Sequence, residues 1–369
     1  MDQPFNHPHP DRPTSPLPRL LKGLGAIGEW IYRQELARRN RAFDRGRGVV
    51  TFDLPVISIG NLSVGGTGKT PMVRWVVQQI ISSGGLPATA MRGYGGGIDA
   101  DEAKLYLRQF PGLPLVAQAN RTEGLIELLA QRSDITHIVL DDGFQHRRIA
   151  RGRDIVLIDA TRSAWEDRLL PAGWLREPPA ALARAHALVV THIEQATPQQ
   201  VETIVKLARA VNDKLIITCT SHRWASLALP VSAPRIADDS AASGGVAPGW
   251  LAGKEYYVCC AIGNPAPFVA AAMEHAGRPA SGSLILPDHD PYSPRTVSRM
   301  LEQLRSSGAA VLVTSAKDWA KLARIPAAAW PCQVAVPDLQ LTFASAAQSP
   351  QSTLDESSFS RWLLSPMKA

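Results

Sequence analysis

Val56-Ile-Ser-Ile-Gly-Asn-Leu-Ser-Val-Gly-Gly-Thr-Gly-Lys-Thr-Pro71 decides how the rest of the chain is read. An apolar run, Val56–Gly60, enters a glycine-rich turn, and Pro71 stands in the first turn of a following helix, where its missing N–H costs nothing. Gly68-Lys69-Thr70 completes the phosphate-cradling pattern G-x-x-x-x-G-K-S/T, except that Ser63 takes the place of the first glycine. With strand, loop and helix in register, Ser63, Val64, Gly65, Gly66, Thr67, Gly68, Lys69, Thr70 and Pro71 are expected to wrap a nucleoside triphosphate. Loop amides and the helix N-terminus face the phosphates, Lys69 adds a point charge, and the Thr70 hydroxyl is placed for Mg²⁺. Gly60-Asn61 is expected to supply the turn out of the strand.

Outward from this loop, short β-branched runs alternate with helical stretches. Candidate strands are Val56–Gly60, Ala88–Met91, His137–Asp141, Asp154–Asp159, Leu188–His192 and Leu215–Thr218, with helices such as Pro71–Ser82, Glu123–Gln131 and Pro198–Asn212 between them. Near-continuous apolar strands spaced by helices predict an α/β fold, a mostly parallel sheet with helices on both faces. The rhythm breaks at Ala-Ala-Ser-Gly-Gly and Pro-Gly between Arg235 and Gly253, and a shorter α/β set follows from Tyr256 to Thr314. The expected organisation is a disordered tail (1–16), a basic amphipathic helix (17–48), a nucleotide-binding core (49–220), a linker or insertion (221–255), a smaller α/β domain (256–345) and a C-terminal tail (346–369).

A chain of 369 residues with 45% hydrophobic and 20% charged residues is an ordinary globular protein of about two domains. Cys219, Cys259, Cys260 and Cys332 have neither zinc-ligand spacing nor the look of a disulfide framework. The Pro- and His-containing first residues do not read as a signal peptide. The net charge of +6 admits anionic partners, and its basic part is concentrated: between Leu17 and Arg47 stand eight Arg or Lys against three acids. There Leu17, Leu20, Leu21, Leu24, Ile27, Trp30, Ile31 and Leu36 recur at helical spacing. Such a helix either lies in a membrane interface or packs on its own domain. Its longest uncharged run, Gly23–Gly28, is too short to span a bilayer, which takes about 20 residues.

Three further stretches carry chemistry. His137-Ile-Val-Leu-Asp-Asp-Gly-Phe-Gln-His146 is an apolar strand ending in two carboxylates, the form of an element that holds Mg²⁺. Adjacent strand residues point to opposite faces, so Asp141 and Asp142 have different tasks. Arg92-Gly-Tyr-Gly-Gly-Gly-Ile-Asp-Ala-Asp-Glu102 is a glycine loop leading into acids, and Leu286-Pro-Asp-His-Asp-Pro-Tyr292 sets a histidine between two carboxylates. A hydroxyl that accepts a phosphoryl group needs such a carboxylate or imidazole to take its proton. One acid and one histidine from different domains would meet when the domains close.

Taken together, these pieces resemble the tetraacyldisaccharide 4′-kinases of lipid A biosynthesis. The resemblance runs through Gly65-Gly66-Thr67-Gly68-Lys69-Thr70-Pro71, Arg92-Gly93-Tyr94-Gly95-Gly96, Asp101-Glu102, Asp141-Asp142-Gly143-Phe144-Gln145-His146, Leu169-Leu170-Pro171-Ala172-Gly173, Leu175-Arg176-Glu177-Pro178, Gly263-Asn264-Pro265, Pro287-Asp288-His289 and Lys317-Asp318. It implies a two-domain P-loop NTPase-type fold with a membrane-associating N-terminal helix. It also implies transfer of the ATP γ-phosphate to the 4′-hydroxyl of tetraacyldisaccharide 1-phosphate at the cytoplasmic face of the inner membrane. By the same resemblance Asp101 faces the sugar hydroxyl with His289 beside it, and Lys69 stabilises the β/γ-phosphates. Thr70, Asp141 or Asp142, and Glu177 hold Mg²⁺, while Asn61, Arg92, Gln145 and Arg176 are candidates for substrate contacts. No nucleic-acid partner is expected, and a monomer is the default.

Departures from the family's pattern are Ala100 before Asp101, with Asp99 a rival carboxylate, Ser315-Ala316 where Thr-Glu is usual, the turn Thr161–Asp167, and a long 235–253 loop. Two other classes compete with the kinase. One phosphorylates or ligates a soluble small molecule; the other is a membrane-recruited nucleotide switch or metallochaperone. The chain contains no Asn-Lys-x-Asp element, and His7-Pro-His9 is too little for a metal tract. A soluble substrate leaves the basic amphipathic N-terminus unexplained.

Overall fold

A computed structural model describes residues 16, 24–93, 101–231, 245–288, 290–345 and 354–367, with the backbone alone at 101 and 102. The chain divides into two compact units, one of Met1–Ile98, Gly112–Ser221 and Thr342–Ala369, the other of Asp99–Pro111 and His222–Leu341.

The first unit is built on seven strands: β1 (Val56–Asn61), β2 (Pro87–Met91), β3 (Leu115–Ala117), β4 (His137–Asp141), β5 (Arg153–Asp159), β6 (Ala187–Thr191) and β7 (Ile216–Val231), the last running on into the second unit. Their order is β3-β2-β4-β1-β5-β6-β7, and each of these neighbouring pairs is parallel. β1 is buried along its whole length, so every residue from Val56 to Asn61 excludes water on both faces of the sheet. Around it stand α1 (Gly25–Asp44), α2 (Lys69–Ser82), α4 (Arg121–Gln131), α5 (Pro198–Val211) and α9 (Glu356–Leu364). α5 opens with a reciprocal capping box between Thr197 and Gln200. α9 returns onto α2: the Trp75 indole N–H donates to Glu356 at 2.9 Å, and the Trp75 ring lies 4.7 Å from that of Phe343.

Register decides which strand ends coincide. Ile59 stands opposite Asp141, Asn61 opposite Leu157, and Asp159 opposite Thr191. The carboxyl ends of β1, β4, β5 and β6 therefore bring Asn61, Asp141, Asp159 and Thr191 to one edge, the usual ligand-binding edge of a parallel sheet.

The second unit holds β8 (Tyr256–Cys260), β9 (Gly282–Ile285), β10 (Val311–Thr314) and β11 (Gln333–Phe343), in the order β11-β10-β8-β9 with parallel pairings, and β11 runs on into the first unit. α3 (Asp101–Gln109), α6 (Ala266–Ala276), α7 (Pro294–Ser307) and α8 (Ala316–Leu322) belong to it. Residues 221–231, expected as linker, are instead strand, held by burial of Trp224 and Leu227 in one core cluster of the second unit and of Val231 in another. All four cysteines are buried and none is in a disulfide.

One face of α1 packs on its own unit. Gly28 lies so close to Pro171 that an added Cβ would come 2.7 Å from its ring, the Tyr32 hydroxyl donates to the Arg176 carbonyl at 2.8 Å, and Leu36 is buried. Glu29, also buried, pairs with Arg33 at 3.0 Å and Arg168 at 2.6 Å. The other face is an apolar ridge in water: Leu24, Ile27, Trp30 and Ile31 are 58, 60, 62 and 56% exposed. Leu17, Leu20 and Leu21 lie outside the described residues.

Gly60 does not turn the chain, since β1 continues through Asn61. It is small because the loop after β4 lies against it: a Cβ there would sit 2.6 Å from the Phe144 backbone nitrogen. A Cβ on Gly66 would meet no atom. Gly60→Ala is therefore expected to destabilise the fold by about 1–3 kcal/mol, with Gly66→Ala leaving the thermal midpoint in place. Equal midpoints in a thermal melt would contradict this account of β1.

Candidate active site

The loop between β1 and α2 departs from the common pattern for a local reason. At Ser63, where a glycine was missing, the chain does not turn but forms an antiparallel bridge with Leu175, and the Val64 amide donates to the Trp174 carbonyl at 2.8 Å. The sharp bends come later, at Gly65 (φ 115°) and Gly68 (φ 79°), in conformations that favour glycine. Gly68 is the N-cap of α2, so Lys69 and Thr70 open the helix and Pro71 is its third residue. The helix N-terminus and its positive dipole end thus lie beside Lys69 at the loop.

Behind the loop stands a web of charge and hydrogen bonds. The Arg176 guanidinium donates to both oxygens of Asp142 at 2.7 and 2.8 Å, to Asn61 Oδ1 at 2.6 Å and to the Ser63 carbonyl at 3.3 Å. Asn61 passes the constraint on, its Nδ2 donating to Thr67 Oγ1 at 2.9 Å. Lys69 Nζ lies 3.5 Å from Asp142 Oδ1. Burial alone would raise the Asp142 pKa, but Lys69, Arg176 and Arg121 overcome it and hold the carboxyl well below the usual range. Asp142 itself is left-handed (φ 52°), and buried Arg121 secures that turn by donating to the Asp141 and Asp142 carbonyls at 3.0 and 3.1 Å. Arg121 starts α4 and carried no signal in its own sequence neighbourhood; only the fold brings it here.

Several residues expected to touch substrate are instead internal braces. Asn61 is fully buried, Arg176 is committed to Asp142, Asn61 and Ser63, and Gln145 donates to the Asn61 carbonyl at 2.8 Å. Glu177, expected at the metal, points elsewhere: its carboxylate is fully buried, paired with Arg184 at 2.7 Å and within 3.4 Å of Asn40 on α1. The chain bends here, the Arg176 and Glu177 amides both donating to the Leu62 carbonyl, and the two side chains part, Arg176 to Asp142 and Glu177 to Arg184. Arg92 remains exposed at the end of β2. Burial first, then Arg121, Arg151, Arg148 and Arg92, push the nearby His146 down to about 4, so this ring is neutral near pH 7.

Asp99, Ala100 and the Tyr94–Gly97 loop lie outside the described residues, as do His289 and the side chain of Asp101. Asp101 opens α3, and the segments containing Asp101 and His289 belong to the same unit rather than to opposite ones. α3 packs on α8, and α8 with the turn after it grips the chain just beyond 289. Lys321 Nζ donates to the Asp290 carbonyl at 2.9 Å, and Arg324 to the Tyr292 carbonyl at 2.7 Å. Ser315 keeps the capping hydroxyl at the start of α8, accepting from the Asp318 amide at 3.2 Å, so the altered Ser315-Ala316 pair leaves that end of the helix intact.

A carboxylate at the end of β4, Asp141 or Asp142, and the Thr70 hydroxyl are oxygen donors of the kind Mg²⁺ takes together with phosphate oxygens and water. Among the described residues no three of His, Cys, Asp and Glu converge as in an all-protein metal cage. Other residues at the same edge carry no motif in the sequence. The Thr191 hydroxyl reaches the Thr67 carbonyl at 3.1 Å, and Asp159 pairs with His192 at 3.4 Å.

Because Asp142 titrates below its ordinary value of 3.8 in the folded state, its ionised form contributes stability that is present above that value and lost as pH falls below it. Asp142→Asn is expected to flatten the acid limb of the stability profile below about pH 4. The check is urea unfolding at a series of pH values; an unchanged slope would show that the Arg176–Asp142–Lys69 web does not hold the charge.

Residues 22–357 match the family model described as LpxK, tetraacyldisaccharide-1-P 4'-kinase. The tetraacyldisaccharide 4'-kinase of Anaeromyxobacter dehalogenans (strain 2CP-C) is 32% identical over 331 residues, 85% of this chain and 84% of that one. That of Geobacter sulfurreducens is 32% identical over 326 residues, 82% and 85% of the two chains. The crystal structure of LpxK from Aquifex aeolicus, in complex with ATP, has the same fold, with a TM-score of 0.64 at 24% identity over 89% of this chain and 96% of that one. With a family match over most of its length and these relatives beside it, the chain belongs to the tetraacyldisaccharide-1-P 4'-kinase family.

Proposed function

We propose that this protein transfers the γ-phosphate of ATP to the 4′-hydroxyl of tetraacyldisaccharide 1-phosphate, giving the 4′-phosphorylated lipid A precursor, lipid IVA. The observation that carries the reading is the nucleotide loop braced against Asp142 by Arg176, in a chain of this family. Phosphoryl transfer needs little covalent help from a protein; positioning and charge neutralisation do most of the work. Lys69 turns from Asp142 to the β/γ-phosphates, the Gly68 and Lys69 amides face them, and Thr70 with Asp141 or Asp142 would hold Mg²⁺. When bound, the metal neutralises charge on the phosphate oxygens. The acceptor oxygen forms the new bond to γ-phosphorus as the bond to ADP breaks, and the hydroxyl proton passes to Asp101, with His289 beside it. Glu177 takes no part at the metal in this reading. Arg92 is left to meet the substrate.

The apolar ridge of α1 supports contact with a lipid surface at the cytoplasmic face of the inner membrane. Leu24, Ile27 and Ile31 recur at helical spacing with Trp30 beside them, and exposed Arg33, Arg38, Arg39 and Arg41 follow on the same helix. Apolar side chains would enter the headgroup boundary while each basic residue adds about 1 kcal/mol toward anionic lipid. Among the described residues no helix is long and apolar enough to cross a membrane. A soluble acceptor gives the ridge no occupation.

The direct test incubates the purified protein with labelled ATP, Mg²⁺ and tetraacyldisaccharide 1-phosphate in detergent micelles. Labelled bis-phosphorylated lipid is expected, lost on Lys69→Ala and lowered at least ~10²-fold in kcat by Asp101→Ala with ATP binding kept; no product from the wild type would refute the proposal. In a vesicle sedimentation assay, Ile27→Ser with Trp30→Ser is expected to release the protein from anionic vesicles while activity on micellar substrate falls less. Unchanged sedimentation would remove α1 from the membrane reading.

A further inference from the structure

The edge formed by β5 and β6 holds a group of side chains with no part in the chemistry above. Asp159 ends β5, Thr191 ends β6, and His192 follows in a left-handed conformation (φ 57°, ψ 35°) that is uncommon outside glycine. All three are buried. His192 Nδ1 lies 3.4 Å from Asp159 Oδ2 and 3.3 Å from Thr191 Oγ1. The other Asp159 oxygen accepts from the Thr161 amide at 2.9 Å and hydroxyl at 2.7 Å, which fixes the carboxylate. The Thr191 hydroxyl in turn reaches the Thr67 carbonyl at 3.1 Å and the Ile158 carbonyl at 3.4 Å.

We propose that Thr191, set by the Asp159–His192 pair, is a positioning residue that aims one amide of the nucleotide loop at the phosphates. A hydroxyl has one proton to give. With the Asp159 carboxylate facing it, His192 keeps its proton on Nδ1, a tautomer inferred from the partners. Protonated, that nitrogen cannot accept from Thr191, so the hydroxyl proton is left for a carbonyl, and Thr67 is the nearer one. The Thr67–Gly68 peptide is planar and trans, so its C=O and N–H point in opposite directions. Drawing the Thr67 carbonyl back toward β6 turns the Gly68 N–H forward, out of the loop. The Thr67 side chain is held at the same time by Asn61 at 2.9 Å, so the peptide is fixed from two sides. A loop amide oriented in advance binds charge without reorganising when the ligand arrives.

The inference rests on the nucleotide loop of the proposed function and not on the identity of the acceptor. It is tested by measuring the Kd for a fluorescent ATP analogue with Mg²⁺ and no lipid, alongside KM for ATP, KM for lipid, kcat and the thermal midpoint. Thr191→Val, which keeps the shape and removes the hydroxyl, is expected to raise Kd and KM for ATP roughly 3- to 10-fold, the usual weight of one hydrogen bond. KM for the lipid should hold, and Thr191→Ser should restore the ATP values. Asp159→Asn should shift the ATP values in the same direction through the His192 tautomer, and provides the reading if Thr191→Val does not fold. Unchanged ATP affinity in Thr191→Val, an equal change in both KM values, or no recovery with Thr191→Ser would overturn it. If the wild type itself binds no ATP analogue, the nucleotide reading falls and the inference with it; if the wild type binds and Thr191→Val binds equally, the inference alone falls.

Discussion

Arg176 presents its planar fork to Asp142, reaches Asn61 and Ser63 with the outer nitrogen, and offers its carbonyl to Tyr32 of α1. Lysine could not make this set of contacts, because an ammonium has no fixed plane in which to hold two carboxylate oxygens and an amide at once. Arg176 and Asp142 side chains keep only 19 and 20% of their exposure, so their attraction acts in a medium less polarisable than water. Removing one partner would leave the other's charge stranded, which costs a protein far more than the pair contributes. The loop, the acids at the end of β4 and the N-terminal helix therefore share one constraint.

This arrangement also explains how a triphosphate site remains folded before its ligand arrives. Lys69 and the α2 N-terminus put positive charge at the loop, and the Asp142 carboxylate, held in place by Arg176, offsets part of it. A phosphate then exchanges one partner for Lys69 without having to build the loop. The neighbouring strands contribute in the same way. Arg121 from α4 fixes the left-handed Asp142, and Gly60 lets the Phe144 backbone close over β1. Each is a packing or hydrogen-bond requirement, and each bears on where a reacting phosphate would lie.

The nucleotide loop, the alternation of strands and helices, and the paired acids were legible because they are local. Glycine marks a left-handed turn, and an apolar run of five residues marks a buried strand wherever it occurs. The braces were less legible. Asn61, Gln145 and Arg176 stand inside conspicuous motifs and so read as substrate contacts, yet their side chains turn inward to hold the loop. Glu177 was assigned to the metal, but the turn at Arg176 sends it to Arg184. Which way each side chain of a bend turns depends on partners distant in the chain, here Asp142 for Arg176 and Arg184 for Glu177. Arg121, Asp159, Thr191 and His192 left no signal at all, since each contributes one side chain from an ordinary strand end or helix start.

By itself, then, the sequence determined that a phosphate-binding loop follows the first core strand, that two acids end a strand beside it, and that a basic helix with an apolar stripe precedes both. Those facts depend on backbone dihedrals and on hydrophobic periodicity, which neighbouring residues set between them. The tertiary structure decided the rest: that Ser63 needs no glycine because Leu175 pairs with it, that α3 and its Asp101 go with the second unit, and that Thr191 reaches Thr67 across 124 positions of chain. Strand order and register bring such residues together, and contacts of this range leave no period or spacing in the chain from which they could be read.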